Sequence, residues 1–428
     1  MTILKIYRAD LMIDGTGNEP RKSVDVLVEN GRISEILPSG SVDWSENIPI
    51  YENKGMTLMP GFVDVHTHLM FGTPRSYEDV IKNDSDELLI LRGPKNAYLH
   101  LRAGVTTLRD CGARNNAGFA IKNASEAKLF LSPRILVCGR PLTITGGHFW
   151  WCGQEADGPD EVRKAVRQLV KEGADFLKIM ASGGGTIGTD PSRPTFSVKE
   201  LRTAVEQIHE FGKKAAAHCI SADSVERAAQ AGVDQIEHFN FLLLDGSRKF
   251  SQRTAEMIAK KDLILSPTIQ TGYRAIESLE NKRELSGLSP SEENQLQAAK
   301  YKLDTKLEYT NRFREMGVKI VMGTDAIKKF GDYAIGLKLL SKAGLTQMEL
   351  IRSATSVAAK AIGVNDIGEL LPGMKADMIY LDGNPLSDIN SFDRVMTVVL
   401  NGELVVDKKL DHILSSPNLG KDMAMFKI

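Results

Sequence analysis

Over the first 58 residues apolar and polar positions alternate in short runs such as VDVLVENGRISEIL, broken by Gly and Asn. A period of two predicts antiparallel strands and hairpins. From Pro60 the pattern changes to eight short apolar runs: FVDVHTH (62–68), VTTLRD (105–110), ILVCGR (135–140), FLKIMAS (176–182), KAAAHC (214–219), QIEHF (235–239), LILSPT (263–268) and KIVMGTD (319–325). Between most of them lie stretches such as EVRKAVRQLVKEG and VKELRTAVEQIHEFG, whose apolar residues recur at helical spacing. Strand–helix alternation repeated eight times predicts an α/β chain built on a (β/α)8 TIM barrel. After Ala361 short strand-like runs return in ADMIYLDG and TVVLNGELVVDKK. The expected organisation is a barrel over 59–365 and a small β-sandwich domain formed from both chain ends, 1–58 plus 366–428. The charged stretch 276–310 reads as an exposed helical excursion before the last barrel strand.

Charge removes several function classes. With 54 basic and 55 acidic residues the net charge is −1, so nothing marks a nucleic-acid or anionic-membrane partner. No segment approaches the roughly 20 apolar residues of a membrane span. The opening MTILKIYRADLMIDGTG meets charge too early for a signal peptide. Cys111, Cys138, Cys152 and Cys219 lack CxxC spacing, and a reduced cytoplasmic chain without disulfides is expected.

Candidate chemistry gathers at the strand ends, where barrel enzymes place it. The first run ends in His66-Thr67-His68, and a separation of two puts both imidazoles on one face. The fourth carries Lys178, the fifth and sixth end at His218 and His238, and the eighth ends at Asp325. Four of the eight histidines in the chain occupy these ends. Imidazole and carboxylate donors suit Zn2+ and similar divalent ions. Two or three histidines with the aspartate make a one-metal site; all six groups hold two ions if something bridges them. Lys178 lies in DFLKIM, a strand so apolar that its head either snorkels to water or is not an ammonium. Two adjacent cations would repel a protonated lysine and favour the neutral amine. A neutral amine takes up CO2 to give a carbamate, which has one oxygen for each metal.

These residues resemble the amidohydrolase superfamily, whose pattern is HxH after strand one, a carboxylated lysine after strand four, histidines after strands five and six, and an aspartate after strand eight. The entry MPGFVDVHTH and the return GELLPGMKADMIYLDGNPLSDI are similar to that family as well. The segments LRAGVTTLRDCGA, TGGHFWWCGQEADGPDEVRKAV and ASGGGTIGTDPSRPTFSVKEL resemble a branch near imidazolonepropionase. That branch includes prolidase-like dipeptidases and hydrolases of aryl ureas and carbamates.

The resemblance implies two divalent ions, expected to be Zn2+. His66, His68 and Asp325 would hold one, and His218 and His238 the other, with carboxylated Lys178 and a hydroxide bridging them. It implies hydrolysis of amide-type C–N bonds in a small molecule: an N-acyl amino acid, dipeptide, carbamate, aryl amide or urea. Asp325 would shuttle the proton, His148 would meet the substrate carbonyl, and the enzyme would be a homo-oligomer. An ester or lactone hydrolase with the same metals is an alternative. A mononuclear deaminase is another, disfavoured by Lys178 and by the lack of a glutamate in AAAHCIS. A non-catalytic scaffold would have lost ligands, and all six are retained.

Substrate contacts are read from the same segments. Phe149, Trp150 and Trp151 either line an apolar pocket or pack their loop, and His148 either faces substrate or only its neighbours. Dipeptidase-like relatives carry a tyrosine where this chain has Ile220, so the usual carboxylate grip is missing. Arg109, Arg140 or Arg193 are the candidates to replace it. Apolar N-acyl, carbamate or aryl-amide substrates are therefore expected over those with a fixed carboxylate. The glycine-rich loop from Gly183 to Gly185 onward is either a mobile lid or a static cover.

Overall fold

The computed structural model describes residues 4–44 and 48–409. Five strands open the chain: β1 (Leu4–Met12), β2 (Arg21–Glu29), β3 (Arg32–Pro38), β4 (Ile50–Glu52) and β5 (Met56–Pro60). Nine follow: β6 (Phe62–Thr67), β7 (Val105–Asp110), β8 (Arg134–Val137), β9 (Leu142–Thr143), β10 (Gln154–Glu155), β11 (Leu177–Met180), β12 (Ala215–Ser221), β13 (Gln235–Leu242) and β14 (Ile264–Ser266). Three close it: β15 (Met378–Asp382), β16 (Val395–Leu400) and β17 (Glu403–Asp407).

The first five and last three strands form one eight-stranded sheet in the order β17-β16-β15-β5-β1-β2-β3, with β4 also paired to β1. The hydrogen bonding is continuous along this path, with β5 pairing with β1 on one side and with β15 on the other. Alternate positions point inward, and Tyr7, Val26, Leu58, Met378, Tyr380 and Val399 share one buried cluster. Residues 410–428 of the expected terminal segment lie outside the described residues.

The middle of the chain is α/β with two parallel sheets, β6-β7-β8 and β10-β9-β11-β12-β13-β14. The Asp175 amide donates to the Val137 carbonyl (2.8 Å), connecting the end of β8 to the chain entering β11. The eighth apolar run is not a regular strand. It makes isolated bridges, Ile320 to Leu265 and Ala326 to Thr67, and the Asp325 amide donates to the His66 carbonyl (2.7 Å). Two residues interrupt the ladder. Gly323 lies so close to β6 and β14 that a Cβ would sit 2.7 Å from Ser266 Oγ and 2.9 Å from His66 Cβ, and Asp325 has φ 51°.

The amphipathic stretches fold as helices. Gly158–Glu172 buries Val162, Val166 and Leu169, and Val198–Glu210, with a Ser197/Glu200 capping box, buries Leu201, Val205 and Ile208. Each such side chain contributes about 1.5–3 kcal/mol when fully buried. The charged excursion is two helices, Ile269–Ser286 and Pro290–Glu315. No helix among the described residues is long and apolar enough to cross a membrane.

Candidate metal centre and active site

The two parallel sheets present their polar residues to one cavity of about 420 Å³. His66, His68, Lys178, His218, His238 and Asp325 all line it. Ligand atoms of His66, His68 and Asp325 lie within 4.8 Å of one another. His66 Nε2 and His68 Nε2 are each 3.5 Å from Asp325 Oδ1. The remaining imidazoles close the ring: centroids of His66 and His238 are 5.3 Å apart, and those of His238 and His218 4.4 Å. Lys178 is 1 % exposed, with Nζ 3.5 Å from His66 Nε2.

Each imidazole has one nitrogen tied to a protein oxygen. His66 Nδ1 meets Glu237 Oε2 (2.7 Å), His68 Nδ1 the Gly112 carbonyl (3.1 Å) and His238 Nδ1 the Thr268 hydroxyl (2.6 Å). His218 uses Nε2, 3.3 Å from the Gly183 carbonyl. Such partners fix the tautomer and leave the second nitrogen as a lone-pair donor. Burial first, and the nearby Lys178 after it, hold His66 below its ordinary pKa. Burial with neighbouring cationic groups holds His218 and His238 well below theirs. Burial alone would raise the Asp325 carboxyl, but His66, His68 and Lys178 outweigh it and keep it ionised. Imidazole nitrogens around an ionised carboxylate are a donor set that fits divalent cations. His238 (φ 68°) and Asp325 (φ 51°) adopt left-handed backbone, which costs of order 1–3 kcal/mol per residue and concentrates at functional sites.

Beneath this ring lies a buried network absent from the sequence reading. Glu237 accepts from Arg109 Nη2 (2.7 Å) and Gln235 Nε2 (2.9 Å) while it holds His66. Burial would raise Glu237, but Lys178, His66 and Arg109 bring it down to about 2. Asp64 accepts from Thr324 Oγ1 (2.7 Å) and contacts His100 Nε2 (3.2 Å), tying β6 to the eighth run. The only sequence signal for Glu237 was an acid inside an apolar strand.

His148 also reaches the cavity. Thr186 Oγ1, from the glycine-rich loop, accepts the Phe149 amide (3.0 Å) and lies 2.8 Å from His148 Nδ1. Its own proton is then available to Nδ1, which leaves Nε2–H as a donor. Burial pushes His148 down to about 3, so it is neutral at ordinary pH. The imidazole packs so tightly over Gly184 that a Cβ there would be 2.5 Å from Nε2.

Several expected substrate contacts lie elsewhere. Arg109 is fully buried and points at Glu237 and the Val65 carbonyl, not at the cavity. Arg140 pairs with Gln154 and Glu172, and Arg193 with Asp190 on the surface. Trp150 is 49 % exposed, because tight turns follow the left-handed Phe149 and carry it outward. Trp151 packs behind the cavity against Phe71 and Phe149, with centroids 6.1 and 4.9 Å away. Phe149 and Ile220 do line it. So do Arg248, Lys302 and Lys306, cations the sequence reading did not single out.

Imidazoles, an ionised aspartate and a buried lysine thus meet in one cavity of an α/β chain. Residues 57–405 match the model of the Amidohydrolase family, and the chain belongs to that family. It is 26 % identical to the ochratoxinase of Aspergillus niger over 92 % of this chain and 84 % of that protein. Imidazolonepropionase of Alkaliphilus metalliredigens is 24 % identical over 91 % of this chain and 94 % of that protein. Among solved structures, a Xaa-Pro dipeptidase with methionine bound in its active site superposes with a TM-score of 0.82. It is 26 % identical, over 94 % of this chain and all of that one. The family generally binds divalent metals and its named relatives are hydrolases.

Proposed function

We propose that this chain is a binuclear metal-dependent hydrolase of amide-type C–N bonds. Its frame would be a closed (β/α)8 barrel over 59–365, flanked by a small β domain from both chain ends. One observation carries the reading: the opening of His66, His68, His218, His238, Asp325 and buried Lys178 onto a single cavity. His66, His68 and Asp325 would hold one ion and His218 and His238 the other, with Lys178, as a carbamate, contributing to both. When bound, such ions supply Lewis acidity, lowering the pKa of a water and polarising a carbonyl.

The protein's own groups do the rest. His148 donates from Nε2 to the scissile carbonyl oxygen and, being neutral, does not compete with substrate for protons. Asp325, ionised, accepts a proton at a carboxylate oxygen and returns it to the leaving nitrogen. That return is decisive, because an amine anion leaves very poorly. Phe149, Met180 and Ile220 shield the reacting bond from bulk water. The setting we propose is cytoplasmic and homo-oligomeric; four buried free thiols support a reducing environment.

The test is Lys178→Ala. It should abolish nearly all amide hydrolysis, with partial recovery in short carboxylic acids or bicarbonate. Lys178→Arg should stay inactive, because arginine keeps its charge and cannot be carboxylated. Unimpaired hydrolysis by Lys178→Ala would contradict the reading.

A further inference from the structure

Besides the imidazoles, five ionisable side chains line the cavity, and four of them are basic residues: Lys178, Arg248, Lys302 and Lys306, against Asp325 alone. Lys178 and Asp325 belong to the metal centre. The other three come from outside the ring. Arg248 sits in the segment after β13, held there by a main-chain bridge to Leu242. Lys302 and Lys306 are four apart on the helix Pro290–Glu315, hence on one face, with Leu303 between them.

Their partners are the informative part. Lys306 Nζ donates to the His238 carbonyl and sits 4.9 Å over the Phe239 ring, so it has neutral contacts only. Arg248 and Lys302 form no ion pair and no side-chain hydrogen bond with any described residue. Burial lowers Arg248 from its ordinary pKa, with Tyr301 and Tyr309 opposing it. Burial first, then Arg248, hold Lys306 well below its ordinary pKa against the opposing pull of Asp325, so Lys306 stands beside the metal centre as a hydrogen-bond donor rather than as a second charge. Elsewhere on the same helix cations do pair: Lys300 with Glu280, Arg312 with Glu308, Arg314 with Glu349. Basic side chains in a partly enclosed cleft, with no carboxylate paired to Arg248 or Lys302 among the described residues, raise the local concentration of anions.

We propose that Arg248, with Lys302 and Lys306, forms an oxyanion subsite that grips an acidic group of the substrate, a carboxylate, while the scissile amide lies at the metal centre. The subsite rests on the hydrolase reading above and adds the substrate's charge to it. It replaces the expectation of a preference for substrates without a carboxylate, which rested on Ile220 and on tryptophans that do not reach the cavity. Ile220 and Phe149 then face the apolar part of an acidic substrate. Asn240 and Thr271, also in the lining, are close enough in kind to complete the anion's hydrogen bonds.

The experiment compares three matched compounds: N-benzoylleucine, its decarboxylated analogue N-(3-methylbutyl)benzamide, and the α-aminophosphonate analogue. Benzoate release gives kcat/KM for each, in the wild type, Arg248→Gln and Lys302→Gln, with metal content measured alongside. Wild type should favour the carboxylate over the decarboxylated compound roughly 10–100-fold, the size expected of charge-assisted hydrogen bonds. In Arg248→Gln, with metal content retained, that ratio should fall about tenfold or more; exposed Lys302→Gln, which cannot unfold a core, should lower it less. Phosphonate preferred to carboxylate would reassign the subsite to phosphoryl groups and overturn the carboxylate assignment. Equal rates for charged and neutral compounds in the wild type would overturn the subsite and leave the hydrolase reading standing, as would a ratio unmoved by both substitutions. No benzoate from any compound in metal-loaded enzyme would count against the hydrolase reading itself.

Discussion

In the sheet built from both chain ends, Asp25 is 1 % exposed and takes donors from Arg8 Nε and Nη2, Ser39 Oγ and Trp44 Nε1. In the cavity, four imidazoles and a lysine are buried beside a half-buried aspartate, and each imidazole has one nitrogen tied to a protein oxygen outside the group. The sheet pairs its charges internally and is complete as it stands. The cavity spends burial on groups that need something from outside, and its left-handed His238 and Asp325 add strain to that cost. A protein keeps such an arrangement only where binding or chemistry repays it.

The sharpest separation of the two regions is Asp325→Asn. Replacing the proposed proton carrier should lower kcat at least about 10²–10⁴-fold, the range of general acid–base groups, while the denaturation midpoint of metal-free protein holds or rises. A matching loss of stability would mean that Asp325 is structural. Glu237→Gln probes the layer beneath. It should weaken metal affinity about 10–100-fold, as loss of an outer partner does, measured by competition with a chelator. Gly184→Ala should displace His148 and cost kcat/KM roughly tenfold to a hundredfold with metal content intact, because an ångström of misplacement matters that much.

The sheet responds in the opposite currency. Asp25→Asn should cost about 1–3 kcal/mol in denaturant unfolding and leave kcat/KM unchanged. The pH windows separate too. Its hydrogen bond to Arg8 holds the Asp25 carboxyl down to about 2, against about 3.9 when unfolded, so its stabilisation is present above pH 4 and is lost as pH falls toward 2. His66, His218 and His238 lie below their ordinary value of about 6.5. The unfolded chain therefore binds their protons first, and metal-free protein should lose stability as pH falls below about 6.5. Unfolding of chelated protein at pH 7.5, 5.5 and 3.5 separates the two losses, and Asp25→Asn should remove only the acidic one.

How much of this the sequence disclosed follows from the range of its signals. His66 and His68 were legible because a period of two holds on a regular strand, and their rings do lie 5.3 Å apart. Glu237 was not, because alternation puts neighbours on opposite faces, whereas the left-handed His238 lets both residues sit beside His66. The run KIVMGTD carries a strand's apolar pattern, yet Gly323 and Asp325 reduce it to isolated bridges. Lys302 and Lys306 lay in a stretch that reads as solvated charge. Which face of a 26-residue helix meets a cavity depends on where the helix lands, and local pattern does not encode that.

The central claim is that the cavity is completed by two ions bridged through Lys178, and metal stoichiometry tests it most directly. Elemental analysis of active protein purified without chelator should give close to two divalent ions per chain, most of it zinc, falling to one or fewer in Lys178→Ala. One ion per chain in fully active wild type, with Lys178→Ala retaining it, would contradict the binuclear centre and leave Lys178 as the buried partner of Glu237, 4.0 Å away.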